Sequence, residues 1–546
     1  MIDIEKLYLE GIKSDFIAVD TETTGLNWQI AELVGVGIGN LEWCYWVPGD
    51  MFKEYHYVFE DLFEKVPVVM HNAKYDLHIL DKYMDNKVLE NMTLHDTMIM
   101  SALLDENTSH TLQGLIQQRF GLFRDEKNVG KMNESELAEH CLKDVFDTAV
   151  LFKEFTPEIT QNDLENAYLV ERQMVKVLWQ MEKKGVLIDV KYLEEFREKL
   201  IKEIEELKRT FPPDLNLISP KQVGKYLFET LKLTPKGYTK KGTPSTDEKF
   251  LSLMPDEEAK RIVHFRELSH TLSTFVDAYL SQIDKSNRLH CEFKQLGART
   301  GRMSCKKPNL QQVAKEEAVR RIFIGEENIL AADYHQMEAV LYAHFSGDEK
   351  FIQMFYDNPD VYSVFASQIF HVPIDKVREP CVIIQDKTYR DVAKGIVLGM
   401  MYGMGEKKFK EITGEALFPE LLEKFPVLYN YGRQVSVFTM ENGYVRTLLG
   451  RYRHLPPHAA YKGVNAKVQG SASDVVKLVM ISLPKSIQER MLIQVHDELL
   501  FENITSDEAN IIRECMTDFN LKVPLKVNIG IGPNWWEASE NATLFA

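Results

Sequence analysis

Ile329-Leu330-Ala331-Ala332-Asp333-Tyr334-His335-Gln336-Met337-Glu338 is the stretch around which the chain is organised. Its apolar run leads into Asp333, and a helical pattern of Met337, Val340, Leu341 and Phe345 leaves it. Asp333 is therefore expected at the end of a buried strand, held rigidly and facing a cleft. An Asp in that place is more often a helix cap than a metal ligand. A second stretch, Gln494-Val495-His496-Asp497-Glu498, tips the balance. Two short apolar strands between Leu492 and Phe501 flank His496-Asp497, which predicts a tight hairpin at residues that tolerate left-handed geometry. Two carboxylates held together repel each other unless a cation sits between them. Magnesium prefers oxygen ligands and commonly uses one or two carboxylates plus substrate phosphates. Two such ions about 3.5–4 Å apart can serve both the attacking and the leaving oxygen of a phosphoryl transfer. Glu498 is an auxiliary candidate, or equally a plain hairpin residue.

Composition bounds the rest. At 546 residues the chain is too long for one core and suggests three or four domains. With 45% hydrophobic and 27% charged residues it reads as ordinary globular protein. No apolar run reaches the roughly 18 residues a membrane helix requires, and the first residues lack the regions of a signal peptide. The six cysteines form no Cys-x-x-Cys pair, so disulfides and structural zinc are not expected and a reducing compartment fits. The net charge of −17 argues at first against a nucleic-acid partner. Its distribution argues the other way. Between Leu296 and Ile322 lie Arg299, Arg302, Lys306, Lys307, Lys315, Arg320 and Arg321, against Glu316 and Glu317 only. One basic strip on an acidic body suits a polyanion in a groove, although a solvated charged surface would look the same.

Along the chain, apolar runs at 16–19, 33–38 and 43–47 read as strands. Helical patterns follow over 76–84, 96–104 and 135–154. Together they predict an α/β domain ending near residue 156. Residues 160–184 read as one helix stopped by Gly185, and 191–209 as a long solvated helix. Gly237 to Gly242 has the spacing of a phosphate-binding loop, but Thr243 stands where the lysine is required, which excludes one. The region 350–440 is mostly helical.

Two further groups of residues carry chemistry. Arg390, Lys394, Leu398 and Tyr402 are spaced by four and form a slowly winding stripe on one side of a helix. The two cations could grip a triphosphate while the far end meets a base. Gly395, Gly399 and Gly403, also spaced by four, leave room for a bulky neighbour. In the first domain, Asp20 and Glu22 alternate to one side of an extended segment. Asp76 follows the apolar 66–69 stretch, and His140 and Asp144 are one helical turn apart. Three Asp and one Glu from separate segments make a second possible two-metal site.

These motifs, in this order, resemble family-A DNA polymerases of the bacterial polymerase I or phage replicative type, with a 3′–5′ exonuclease domain of the DEDD superfamily. Thr300-Gly301-Arg302-Met303-Ser304 and Pro308-Asn309-Leu310-Gln311-Gln312 look like the primer–template strip. Asp333 to Glu338 looks like motif A, Arg390 to Gly403 like motif B, and Val495 to Glu498 like motif C. Asn465 to Gly470 is similar to the palm helix facing the template minor groove. The resemblance implies an α/β and α+β multidomain fold, a ribonuclease-H-like exonuclease domain over 1–156 followed by a right-hand polymerase domain over 157–546. Within the latter, 157–190 and 286–349 would be palm, 191–285 thumb, 350–440 fingers and 441–546 palm.

It also implies roles. Asp333 and Asp497, with Glu498 beside them, would hold two magnesium ions, which manganese could replace. Asp20, Glu22, Asp76 and Asp144 would hold two more in the exonuclease. Arg390 and Lys394 would bind the triphosphate, with Gln336, Glu338, Leu398 and Tyr402 completing the dNTP pocket. Tyr402 would lie by the templating base, and Glu338 would exclude a ribose 2′-hydroxyl. Arg302, Asn309, Gln311, Asn465, Gln469 and His496 would contact primer–template DNA. The implied protein is a cytoplasmic monomer in a bacterial or phage-infected cell, working with DNA, dNTPs and replisome proteins and without a membrane. Three positions depart from the family. Leu398 stands for an aromatic residue, Tyr461 for an arginine, and His140 for a tyrosine, which makes an imidazole base conceivable. Competing readings are a nuclease on a degenerate DNA-holding scaffold, a replication accessory protein without chemistry, and a single-subunit RNA polymerase.

Overall fold

A computed structural model describes residues 3–123, 132–382, 387–413 and 417–545. Short β-branched runs build a first sheet of β1 (Ile17–Thr23), β2 (Leu33–Gly39), β3 (Cys44–Pro48), β4 (Val68–Met70) and β5 (Leu94–Asp96). The order is β3-β2-β1-β4-β5. The first three strands are antiparallel, and β4 and β5 run parallel to β1. This mixed sheet is ribonuclease-H-like. The helix Glu134–Gln161 lies directly on it: a Cβ on Gly37 of β2 would come within 2.7 Å of both Cys141 Sγ and Val145. That close approach brings His140 and Asp144 to the strand carrying Asp20 and Glu22.

The helix runs through residue 156, and Phe155 and Ile159 both belong to the core of the first sheet. The stretch predicted as one helix over 160–184 is interrupted. Asp163 takes a φ of 51°, and a new helix, Glu165–Lys184, begins behind it. Gly185 ends that helix at φ 64°, as its sequence suggests. One face of Glu165–Lys184 places Ala167, Val175 and Trp179 in the first core. Another places Met174, Leu178 and Met181 in the second. The helix is therefore shared between the two halves of the molecule.

The second half is built on strands β6 (Val186–Ile188), β7 (Arg288–Leu289), β8 (Glu292–Lys294), β9 (Ser304–Lys306), β10 (Phe323–Tyr334), β11 (Tyr444–Arg446), β12 (Tyr452–His454), β13 (Met491–Val495), β14 (Glu498–Glu502), β15 (Val527–Asn534) and β16 (Thr543–Phe545). Its main sheet has the order β13-β14-β10-β15-β16, with β6 on β10 and β7 on β6. β8 pairs with β9, and β11 with β12. The apolar run Ile329–Ala332 is only a third of β10. Its pairing with β15 slips between Ile324 and Ile329, where a Cβ on Gly325 would sit 2.0 Å from the Asn328 carbonyl oxygen.

Two helical units flank this sheet. Between β6 and β7 the helices Val190–Lys208 and Glu257–Thr271 carry a small separate core of Phe211, Leu227, Leu251 and Ile262. Val190–Lys208 is not solvated all round, since Leu193 and Leu200 are buried. The second unit follows β10 and includes Val361–Phe370, Tyr389–Met401 and Pro426–Asn442. All six cysteines are free.

Candidate active sites

β10 delivers Asp333 to the rim of the second sheet, opposite Glu498 in the antiparallel register. The backbone N–H of Tyr334 donates to the Asp497 carbonyl at 3.3 Å. Asp497 arrives there because the β13–β14 connection is two residues long, with His496 at φ 58°. Burial, reinforced by the Asp497 and Glu498 charges, pushes the Asp333 carboxyl up to about 8. Burial raises Asp497 as well. Both line a cavity of about 290 Å³ together with Lys315. Two half-buried carboxylates that resist ionisation in one cavity are a donor set for a hard cation, which fits the implied metal.

Glu498 lines the same cavity, and both of its oxygens have partners. Trp535 Nε1 donates to it at 2.8 Å, and Arg320 lies 3.6 Å from its other oxygen. Arg320 in turn stacks over the Trp535 ring at 4.2 Å. The basic strip is accordingly not one band facing a polyanion. Arg320 is buried, Arg321 pairs with Glu317 and Glu537, and Lys306 pairs with Glu292. Arg302, Lys315 and Arg320 line cavities holding Asp497. Sequence spacing could not show this, because the partners come from distant segments.

The helix Tyr389–Met401 starts on a Thr388–Asp391 capping box. It buries Val392, Ala393, Ile396, Val397 and Met400, which turns Arg390, Lys394 and Leu398 outward. Tyr402 follows at its end and accepts from the Gln469 amide at 3.4 Å. Arg390 is held by two hydrogen bonds to Asp360, of 2.5 and 3.1 Å. Asp360 also accepts from Gln336 Nε2 at 3.1 Å and Ser363 Oγ at 2.7 Å. Burial alone would raise the Asp360 carboxyl, but these donors hold it below its usual range. The Tyr362 ring lies 5.7 Å from Arg390 and 5.9 Å from Lys394. Sequence reasoning missed Asp360 and Tyr362; Asn358-Pro359-Asp360 signals only a helix start. Glu338 accepts from Arg302, so the two are paired with each other.

The three glycines do not form one groove for a neighbour. A Cβ at Gly395 would meet open space, at Gly399 the Met404 side chain, and at Gly403, with φ 75°, the Tyr461 carbonyl oxygen at 2.4 Å. Among the proposed DNA contacts, Arg302 and His496 line a cavity of about 220 Å³ with Glu338 and Asp497. Asn465 and Gln469 are half-buried, one turn apart on the helix Gly463–Ser482. Asn309 is exposed and caps the turn Leu310–Gln312. Gln311 departs from expectation. It is buried, and its amide nitrogen donates to the Gln494 backbone and side-chain oxygens at 3.1 and 2.8 Å. It props the β13–β14 hairpin instead of facing a groove.

In the first domain, Asp20 and Glu22 lie within β1 itself. Asp76 is fixed by Thr21, whose N–H and Oγ donate to it at 3.1 and 2.7 Å. Burial pushes Asp76 up to about 7. Asp20 is raised well above the ordinary carboxylate range by burial and then by Asp76, Asp144 and Glu22, so the four carboxylates converge. His140 Nδ1 lies 3.4 Å from Glu22 and 3.6 Å from Asp144. Cys141, which the sequence did not suggest, donates through Sγ to Asp20 at 3.3 Å. Burial pushes that thiol well above its ordinary value, and its sulfur lies close to the Asp20 and Glu22 oxygens. Buried Asp96, also unforeseen, accepts from the N–H groups of Asn72 and Ala73 and anchors the helix Ala73–Leu80 that carries Asp76. A cavity of about 620 Å³ opens onto Asp20 and Asp144.

With this geometry in view, comparison with known proteins gives a consistent result. The model of DNA polymerase family A matches residues 190–537, and that of a 3′–5′ exonuclease matches residues 2–159. The chain belongs to DNA polymerase family A and carries a 3′–5′ exonuclease domain. It is 29% identical to DNA polymerase I of Borreliella burgdorferi, over 98% of this chain and 64% of that protein. It is 34% identical to the thermostable DNA polymerase I of Thermus aquaticus, over 68% of this chain and 48% of that one. It thus spans less than two thirds of these relatives' length. The polymerase domain of Pol1 from M. smegmatis, solved with DNA primer-template and dNTP, superposes with a TM-score of 0.83 at 25% identity, covering 98% of each chain. No helix among the described residues is long and apolar enough to cross a membrane.

Proposed function

We propose that this chain extends a DNA primer on a template by transferring dNMP to the primer 3′-hydroxyl, and that it trims mispaired ends through a separate 3′–5′ exonuclease site. The observation that carries the reading is the Asp333–Asp497 pair. Two half-buried carboxyl groups, one pushed up to about 8, line one cavity at a strand end. Asp333 and Asp497 would hold two magnesium ions, and Asp20, Glu22, Asp76 and Asp144 two more. Bound there, the ions supply charge neutralisation at the scissile phosphate and a lowered pKa for the attacking oxygen.

The protein's own side chains do the rest. Lys394 and Arg390 hold the triphosphate and offset charge developing on it. Asp360 and Tyr362 fix Arg390 before substrate arrives. Leu398 and Tyr402 present an apolar surface to the sugar and base, and Glu338 narrows the pocket at the 2′ position. In the exonuclease site, His140 lies among the carboxylates, where it can accept or orient a proton of the attacking water. Primer extension with magnesium and dNTPs tests synthesis, and degradation of single strands tests hydrolysis. We expect Asp20→Ala with Glu22→Ala to abolish degradation and spare extension. Degradation without any extension by the unaltered chain would instead favour a nuclease on a DNA-holding scaffold.

A further inference from the structure

One stretch of chain, residues 292–302, reaches both sites. At its start Phe293, Lys294 and Leu296 line the cavity that opens onto Asp20 and Asp144. At its end Arg302 lines the cavity of Glu338, His496 and Asp497. Nothing in the sequence marks it as a link, yet buried charges grip it along its length. Glu182 accepts from the Phe293 N–H, and also from Lys74 and His78 of the helix that carries Asp76. Glu171 accepts from Gln295 Nε2 at 2.5 Å. The two glutamates are eleven residues apart in the helix Glu165–Lys184, which puts them on one face.

Lys477 completes the grip from the helix Gly463–Ser482. Its ammonium donates to Glu171 at 2.5 Å, to the Gln295 carbonyl at 3.3 Å and to the Gly301 carbonyl at 2.7 Å. All three of its donors are used. Ser473 Oγ donates to the same Gly301 carbonyl at 2.8 Å. The Lys477 and Glu171 side chains are 0% exposed. Gly301 itself has φ 83°, and a Cβ there would sit 2.8 Å from Arg451 Nε. Apolar packing of the same volume would stabilise the fold as well as such a cluster does. What the cluster adds is direction: it fixes the backbone at residues 295 and 301.

We propose that Lys477 is a positioning residue shared by both sites: through Gly301 it places Arg302 for primer extension, and through Gln295 it places the Lys294–Leu296 wall of the exonuclease cavity. The proposal rests on the two-site function given above. Its test is steady-state kinetics of the full chain on both reactions, with melting curves to establish folding. Lys477→Met is expected to raise KM for primer–template and for single strands by about tenfold each, as a small misplacement of a binding group does. If Lys477 acts through Arg302, its effect on extension shrinks to less than about twofold in an Arg302→Ala background, because coupled sites are not additive.

Full multiplication of the two effects, or one reaction left at its wild-type KM by a folded Lys477→Met, overturns the proposal. Should Lys477→Met fail to fold, Ser473→Ala decides, since it removes one bond to Gly301 without stranding a charge. Loss of extension efficiency that vanishes in the Arg302→Ala background supports the proposal, and wild-type extension by the folded variant overturns it. A wild-type chain that extends no primer defeats the functional reading instead, so the two failures are distinct.

Discussion

Asp333 sits where folding and function oppose each other. Its carboxyl is raised in the folded state to about 8, from an ordinary value near 3.8. A carboxyl raised on folding leaves stability intact at low pH and withdraws it as pH climbs from the unfolded to the folded value. Metal-free Asp333→Asn should therefore melt above wild type at pH 8.5, with the gap closing toward pH 4. Added magnesium should raise the wild-type Tm more than the variant's. The same substitution should cut primer extension by on the order of a thousandfold while sparing single-strand degradation. Glu338 makes a second case. It pairs with Arg302, and if it is the gate proposed above, Glu338→Ala should reduce discrimination against ribonucleotides by about tenfold or more, read as the rNTP/dNTP ratio of kcat/KM. These residues were legible in the sequence, because an aspartate at the end of an apolar run and a two-residue hairpin are local patterns. Asp360 was not, since its meaning lies in Arg390, thirty residues downstream.

At the scale of elements, the outward stripe on the helix Tyr389–Met401 follows directly from its apolar positions, and the sequence predicts it. The sequence expects the glycines on that helix and just beyond it to leave room for a neighbour, which holds at Gly395, whereas Met404 fills the space at Gly399 and the Tyr461 carbonyl that at Gly403. Periodicity reports which face a residue is on, but not what lies opposite. Gly395 faces open space, so Gly395→Ala should stabilise the protein by about 0.5–1 kcal/mol, as measured by denaturant unfolding. Gly403 takes φ 75° against the Tyr461 carbonyl, so Gly403→Ala should destabilise by about 1–3 kcal/mol. Equal effects at both positions would contradict this assignment. Gln311 teaches the same lesson. It stands in a strip that resembles DNA-contacting sequence, yet the β13–β14 hairpin folds against it and takes up its amide.

Across the whole molecule, the two halves are joined by more than the chain between them. The helix Glu165–Lys184 lends its faces to both cores. A second junction joins Glu106, beyond β5, to β12. Glu106 accepts from Arg453 at 2.7 Å and lies 3.0 Å from His454 Nδ1. The bond to Glu106 raises the His454 pKa, so its contribution is complete below the ordinary histidine value and is lost as pH rises through the folded value. Glu106 is the reverse case. Burial pushes its carboxyl up, but His454 and Arg453 outweigh that and hold it low, so its share is lost only as pH falls through the depressed value. His454→Ala should lower Tm at pH 6 and much less at pH 9, a comparison that thermal melts at the two pH values settle.

The sequence by itself determined the strand that leads to Asp333, the hairpin that carries Asp497 and the cationic stripe. Each is written in residues close together in the chain, where periodicity and turn chemistry act. The tertiary structure alone decided which partner each charge takes. It turned Glu498 toward Trp535, buried Arg320, clamped Arg390 with Asp360 and spent Lys477 on two distant carbonyls. Those outcomes depend on which segments meet in space, and a buried charge takes whatever partner folding brings to it.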